Sequence, residues 1–235
     1  MTGQSLGTSL AATTGPATPA GLAATAGPVR LLLTCLAVDP PASSGCVLSE
    51  AELRWSDALP VLLRRRYRLS RVLLRLWLGS ILGCAADRVP LHSPPGEPPL
   101  LAQGWGWVSL SHSGSGLLLG WSAAPIGVDL ENSRRRFAAG PLMRRFFPAA
   151  ESHQLAGLEP AALQQAVLRS WVLKEAAVKR GRGSLARDLA CLGFDHRAQQ
   201  LWREPDRAAL PWRGGRLGDW IWGAVGDGVD ALRWE

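Results

Sequence analysis

Two carboxylates stand two residues apart in the stretch PIGVDLE, residues 125–131: Asp129 and Glu131. Side chains alternate along a strand, so an extended segment here presents both acids on one face. Like charges side by side repel, and burying them without a counter-charge is costly. Either that face is open to water or a cation holds it. Hard oxygen donors in a small cluster suit magnesium, which keeps some of its waters and shares a ligand phosphate. An ordinary exposed strand end is the plainer alternative.

A third acid lies in SWVLKEAAVKRGRGSL, residues 170–185. Glu175 and Lys179 are four apart, one helical turn, on one face. As a surface ion pair they would contribute only about 0.5 kcal/mol. Trp171 on the same helix calls for burial, however, and the helix runs into a basic, glycine-rich stretch, KRGRGS, whose backbone can approach a phosphate closely. The third piece is SLSHSGSG, residues 109–116, with His112 between two serines beside a glycine turn. Most lone histidines are structural. Near a phosphate, the ring N–H groups and the Ser111 hydroxyl would donate hydrogen bonds.

The elements that must position these residues are legible from periodicity. Residues 29–38, VRLLLTCLAV, read as a buried first strand bounded by Pro40 and Pro41. Residues 49–57 read as a helix with Ser49 as N-cap, and Pro60 opens a long helix. On that helix Leu62, Leu69, Leu73, Leu76 and Trp77 recur at helical spacing while arginines fill other faces. LHSPPGEPPL is a proline-rich loop. WGWVSLSHS and GLLLGWSA form a hairpin about a glycine turn, and PIGVDLE follows as a strand. Residues 149–157 and 160–182 are helical, and the remainder reads as a terminal antiparallel sheet. The order strand, helix, strands, helix, strands implies an α+β protein with two lobes.

Composition bounds the function. The chain has 235 residues, 47% of them hydrophobic, and a formal net charge of +7. That is enough chain for one large domain or two small lobes, and its charge favours an anionic partner. Residues 1–28 are uncharged and rich in Ala, Thr, Gly and Pro, which reads as a disordered low-complexity tail, not a signal peptide. Cys35, Cys46, Cys84 and Cys191 have no metal-knuckle or redox spacing and read as reduced thiols of a cytoplasmic protein. Eleven tryptophans would permit stacking on single-stranded nucleic acid. They fall mostly in apolar strands, and nucleic-acid binding gives no reason for the three acids.

The ordered series SLSHSG, GVDLE, FFPAAE and WVLKEAAVKRGRG resembles the 4'-phosphopantetheinyl transferases of the surfactin-synthetase-activating type. The resemblance runs over roughly residues 30–235, with its best motifs between Ser109 and Gly183. It implies two similar α+β lobes in a pseudo-twofold arrangement, residues 29–122 and 123–235, with the active site in the interlobe cleft. It also implies transfer of the phosphopantetheine arm of coenzyme A to a serine of an apo carrier protein, releasing adenosine 3',5'-bisphosphate.

By position, the resemblance makes Asp129, Glu131 and Glu175 ligands of Mg2+. Glu175, or a water it holds, becomes the acceptor of the serine proton, and Lys179 the stabiliser of the leaving group. Ser111 and His112 match a pair near the 3'-phosphate of coenzyme A. Arg54 and Arg66 lie where the family places basic residues near that phosphate, and Lys174 is grouped with the coenzyme A contacts. Glu151 in FFPAAE matches a recurrent family acid, with a helix-start role as the alternative. Glu97 stands where the family often has lysine, which sets a negative charge near a phosphate-rich ligand, and Ser109 stands where asparagine is usual. The implied partner is an acidic acyl or peptidyl carrier protein, docked on Arg134, Arg135, Arg136, Arg144 and Arg145. A monomer acting without nucleic acid or membrane is expected. A degenerate relative that binds carriers without catalysis is the remaining rival.

Overall fold

The computed structural model describes residues 27–37 and 47–235. The tail expected over residues 1–28 lies outside them except for its last two residues, and so do Val38, Pro40, Pro41 and Cys46. Strand β1, Arg30–Cys35, leads to helix α1, Glu50–Asp57. Ser49 caps α1 through a capping box: its hydroxyl accepts from the Glu52 amide, and the Glu52 carboxylate accepts from the Ser49 amide. Helix α2, Val61–Leu82, starts after Pro60 and stops at Gly83, which takes the left-handed conformation (φ 67°) that a helix end favours.

The apolar stripe read for α2 is partly corrected. Leu69 and Trp77 are buried, but Leu62 is 87% exposed and Leu76 also faces solvent, whereas Arg71 and Arg75 are buried. The reason is a polar tie between α2 and its neighbours. Arg75 Nε donates to Glu52 Oε2 at 2.7 Å, and its Nη1 donates to the Val89 carbonyl at 2.9 Å. The same carboxylate therefore caps α1 and fastens it to α2.

Short strands β2, Leu91–His92, and β3, Leu100–Leu101, bracket the proline-rich loop. Strands β4, Trp107–Ser113, and β5, Gly116–Ser122, form the expected hairpin, and β6 is Ile126–Asn132. Helix α3, Ala139–Phe146, occupies a stretch read only as an arginine-rich segment. Gly140 and Pro141 mask the pattern, but proline is tolerated in a first turn, and Leu142, Met143 and Phe146 pack beside Leu155 and Val167. Helices α4, Ala149–Leu155, and α5, Pro160–Arg180, come next, then α6, Leu185–Asp188.

The C-terminal region holds β7, Leu192–Asp195, β8, Gln200–Arg203, β9, Ala208–Leu210, β10, Trp212–Leu217, β11, Trp220–Gly226, and β12, Arg233–Trp234. It is not the single terminal sheet expected. β7, β8 and β9 make one antiparallel sheet, β10 and β11 join β6 in another, and β12 returns to lie parallel to β1 in the order β12-β1-β5-β4. Partner choice over such separations is set by tertiary packing, which local alternation does not encode. An ion pair of Arg30 with Glu235 at 2.5 Å fastens the returning end.

The architecture is α+β. One core cluster packs α2 against β4 and β5, a second packs α5 against β7, β8 and β11, and a third joins β1 and β5 to β6 and β11. That third cluster sets the two sheets face to face and brings β4 alongside β6. No helix among the described residues is long and apolar enough to cross a membrane.

Candidate active site

The acids of β6 meet a ladder of serines on β4. Ser111 Oγ donates to Asp129 Oδ1 at 2.6 Å, and Ser113 Oγ donates to Glu131 Oε1. Ser109 Oγ accepts from the Val128 amide at 3.0 Å. Serines spaced by two on one strand thus serve acids spaced by two on the other, as strand periodicity requires. Ser109, where asparagine was the family expectation, has a structural task here. Ser111, expected near a ligand phosphate, spends its hydroxyl on Asp129 while still lining the adjoining cleft.

Helix α5 supplies the third acid and the lysine. It lies directly on β6 because Gly127 has no side chain: a Cβ there would stand 1.9 Å from the Ala176 carbonyl oxygen and 2.4 Å from the Arg180 amide nitrogen. At that distance Lys179 Nζ reaches Asp129 Oδ1 at 2.6 Å. Asp129 is nearly buried and so accepts from a hydroxyl and an ammonium at one oxygen. Glu131 is held from outside by Arg135. Burial pushes the Glu175 carboxyl up, to about 7, with Asp129 adding to the rise. Lys179 and a hydrogen bond from Trp171 oppose it, and Glu131 raises it slightly further. Glu175 is the acid left short of positive charge.

The structure therefore brings Asp129, Glu131, Glu175 and Lys179 into one electrostatic neighbourhood. Among the described residues, no three His, Cys, Asp or Glu side chains are drawn together closely enough to hold a metal ion. Asp129 and Glu131 are instead turned toward their serines and cations.

A cleft of about 610 Å³ opens beside this cluster. Both halves of the chain line it: Arg66, Tyr67 and Arg71 of α2, the loop Pro95–Pro99, Trp107 to His112 of β4, and then Ile126, Lys179, Arg182 and Leu185. Burial lowers the His112 pKa, and the nearby Arg66, Lys179 and Arg71 lower it further. A neutral imidazole ringed by three cations marks a cleft poised for an anion. Glu97 is the one carboxylate of that lining.

Two expected ligand contacts lie elsewhere. Arg54 is 71% exposed on α1, paired with Glu50, and does not line the cleft. Its position on the helix turns it to solvent. Lys174 is fully buried, with Nζ 2.6 Å from Glu151 Oε2 and 3.5 Å from the centre of the Phe147 ring. It is one position off the Glu175–Lys179 face of α5, so it points into the protein. Its contact with Glu151 is close but poorly angled for a hydrogen bond. Burial brings the Lys174 ammonium down to about 8, and Glu151 only partly restores it. Glu151, despite burial, is held below the usual carboxylate range by His196, Lys174 and Ser170. It also accepts from the Phe194 amide at 3.2 Å, so it ties α4 to β7.

Arg71 and Trp107 are cleft residues that sequence reasoning did not single out, while Arg182 belongs to the basic, glycine-rich stretch it did. Arg71 Nε donates to the Ser93 carbonyl at 3.3 Å, and its guanidinium stacks on Tyr67. Arg182 lies 4.2 Å from the centre of the Trp107 ring, its backbone left-handed at φ 51°. For Trp107 a signal existed: it continues the alternation of Ser109 and Ser111.

Two comparisons with known proteins bear on this arrangement. The family profile of the 4'-phosphopantetheinyl transferase superfamily matches residues 125–220. A protein of Synechocystis sp., provisionally described as a 4'-phosphopantetheinyl transferase, is 31% identical over 125 residues, which is 51% of this chain and 51% of that protein. The chain thus spans about half the length of the curated relative it matches. The profile match covers β6 and α5, the elements that carry Asp129, Glu131, Glu175 and Lys179.

Proposed function

We propose that this protein transfers the 4'-phosphopantetheine arm of coenzyme A to a serine hydroxyl of an apo acyl or peptidyl carrier protein, releasing adenosine 3',5'-bisphosphate. The observation that carries the proposal is the union of an anion-seeking cleft with an underlying acid–lysine cluster, Asp129, Glu175 and Lys179, within the stretch similar to the transferase superfamily.

The chemistry follows from the groups present. Arg66, Arg71, His112 and Arg182 offer the cleft's donors to the phosphates of coenzyme A. Trp107 and the apolar residues around it offer flat surface to the uncharged part. Glu175, or a water it holds, is the group that takes the proton from the carrier serine; without a cation, burial raises its carboxyl to about 7. The serine oxygen forms its bond to the β-phosphorus as the bond from that phosphorus to the bridging oxygen breaks. The bridging oxygen leaves with the adenosine bisphosphate. Lys179 stands where that departing charge can be met, and it exchanges its contact with Asp129 for one with phosphate.

Asp129, Glu131 and Glu175 are all oxygen ligands of the kind Mg2+ takes, and they would hold it only by turning from their serines and cations toward a common point. Bound there, Mg2+ would offset the charge of the pyrophosphate. The carrier surface we assign is the arginine set of 134–136 and α3. Arg136, Arg144 and Arg145 are exposed, and Arg134 is 76% exposed and pairs with Asp219. An acidic carrier helix complements that charge. We place the reaction in the cytoplasm, carried out by a monomer with one cleft.

Intact-mass spectrometry of an apo carrier protein, incubated with this protein, coenzyme A and Mg2+, tests the reading. A gain of one phosphopantetheine arm, lost with Asp129→Ala, is expected. Several acidic carriers left unmodified by folded protein would instead favour a carrier-binding protein without transfer, with Glu97 in the cleft as its mark.

A further inference from the structure

A second cavity, of about 380 Å³, shares no residue with the cleft. One wall is a stripe of α5, Gln165, Arg169 and Leu173, spaced by four and so on one face. The facing wall is β10, where Trp212, Gly214 and Arg216 alternate onto one side. Gly214 places no side chain between the indole and the guanidinium, and Ile221, opposite Arg216 on β11, completes the apolar lining with Leu173.

Charge distinguishes this cavity from a packing gap. Its lining holds two arginines and no carboxylate. Arg169 stacks over Phe194 and Trp212, 5.3 and 5.4 Å from the ring centres, and donates to the Gln199 side-chain oxygen. Arg216 Nε donates to the Gly218 carbonyl at 2.8 Å. Neither guanidinium is paired with an acid among the described residues: their hydrogen bonds go to the Gln199 side chain and the Gly218 carbonyl. Each guanidinium keeps further N–H donors in a planar fork, the geometry that matches a carboxylate.

We propose that this cavity is a binding site for a small apolar molecule carrying one carboxylate. The apolar body lies against Trp212, Ile221 and Leu173, and the anionic head is held between Arg169 and Arg216. Cavities of this size with aromatic walls and a few convergent polar groups are typical of ligand sites. The inference does not depend on the transferase reading, because its residues take no part in the cleft.

Isothermal titration calorimetry of the full chain with naphthoate, and with naphthalenemethanol as its neutral counterpart, tests it. The acid is expected to bind about tenfold more tightly, ~1.4 kcal/mol, near the low end for a hydrogen bond to a charged group. Arg216→Gln, at an exposed position, should erase that preference and leave the alcohol unchanged. Arg169→Gln should do the same, with a melting curve to establish that it folds. Arg66→Glu, in the other cleft, should leave naphthoate binding intact. Equal affinity for the two probes, no binding of either, or loss of naphthoate binding only in Arg66→Glu would overturn the proposal.

Discussion

Gly127→Ala is a one-methyl test of how the site is built. The new Cβ would sit 1.9 Å from the Ala176 carbonyl oxygen and 2.4 Å from the Arg180 nitrogen. Both atoms are backbone, so no side chain can swing away. Restoring an ordinary 3.4 Å contact requires α5 to retreat from β6 by about 1.5 Å. Overpacking of this kind costs about 1–3 kcal/mol. For a chain of this size that lowers Tm by roughly 2–12 °C. Activity should suffer more, because the retreat carries Glu175 and Lys179 away from Asp129 and breaks a 2.6 Å contact. A misplacement of about 1 Å in a catalytic constellation costs about a hundredfold in rate.

Gly223→Ala is the matched control. Its Cβ would meet Leu173 Cδ2 at 3.0 Å and Val172 Cγ1 at 3.2 Å, side-chain ends under the same helix. These can yield, so a small loss in Tm and near-normal transfer are expected. The assay is carrier modification by intact mass, with thermal melting alongside. If Gly127→Ala melts and turns over like the wild type, α5 is not seated by that glycine and the positional argument for Glu175 and Lys179 is wrong.

Further expectations concern the neighbouring charges. Lys174→Met should cost about 3–5 kcal/mol by stranding the buried Glu151 carboxylate, while the KM for coenzyme A of the folded fraction stays unchanged; a selective rise in that KM would return Lys174 to the cleft. Glu151 has a depressed pKa, so its contribution is present above the ordinary carboxylate value of 4.5 and is lost as pH falls through the lowered one. Glu151→Gln should therefore flatten the acid limb of stability against pH, and an unchanged limb would refute that assignment. Glu97→Lys turns a repulsive cleft charge attractive and should lower the KM for coenzyme A several-fold, more at low salt; no salt-dependent change would mean that Glu97 does not face the phosphates. Charge reversal at Arg134, Arg136 and Arg144 should raise the KM for carrier and spare that for coenzyme A. Arg135 is left out because it holds Glu131. Equal losses for both substrates would refute docking on that surface.

The legible parts of this molecule were those governed by local chemistry. Ser49 with Glu52, Pro60, and the glycines at 114 and 116 fixed element ends by capping and turn preference, and the structure has them in those roles. Asp129 with Glu131 was legible because strand periodicity alone puts them on one face. What stayed hidden was long-range. Nothing near Arg233 announces that β12 will pair with β1 some two hundred residues earlier. Arg71 and Arg75 read as solvent arginines because a helix pattern does not reveal that Glu52 and the carbonyls of Ser93 and Val89 will meet them. Lys174 was grouped with the cleft because it adjoins Glu175, yet adjacent helical positions point about 100° apart.

The serine ladder explains how β6 can carry two acids on a face that packs against protein. Hydroxyls are uncharged donors short enough to fit between β4 and β6, and each removes part of the cost of desolvating a carboxylate. They do not neutralise it, which leaves Lys179 and Arg135 to supply charge from the helix and the loop. Glu175 is given no such serine, and burial raises its carboxyl. Replacing Ser111 by alanine would remove the 2.6 Å donor to Asp129 and leave Lys179 as its remaining partner. Lys179 should then be held more tightly and be less free to meet a departing phosphate. The expected result is a kcat reduced about tenfold, in line with ~1.4 kcal/mol for a charge-assisted hydrogen bond, with little change in the KM for coenzyme A. A Ser111→Ala protein that loses affinity for coenzyme A but keeps its kcat would show that the hydroxyl serves the ligand phosphate and not the aspartate.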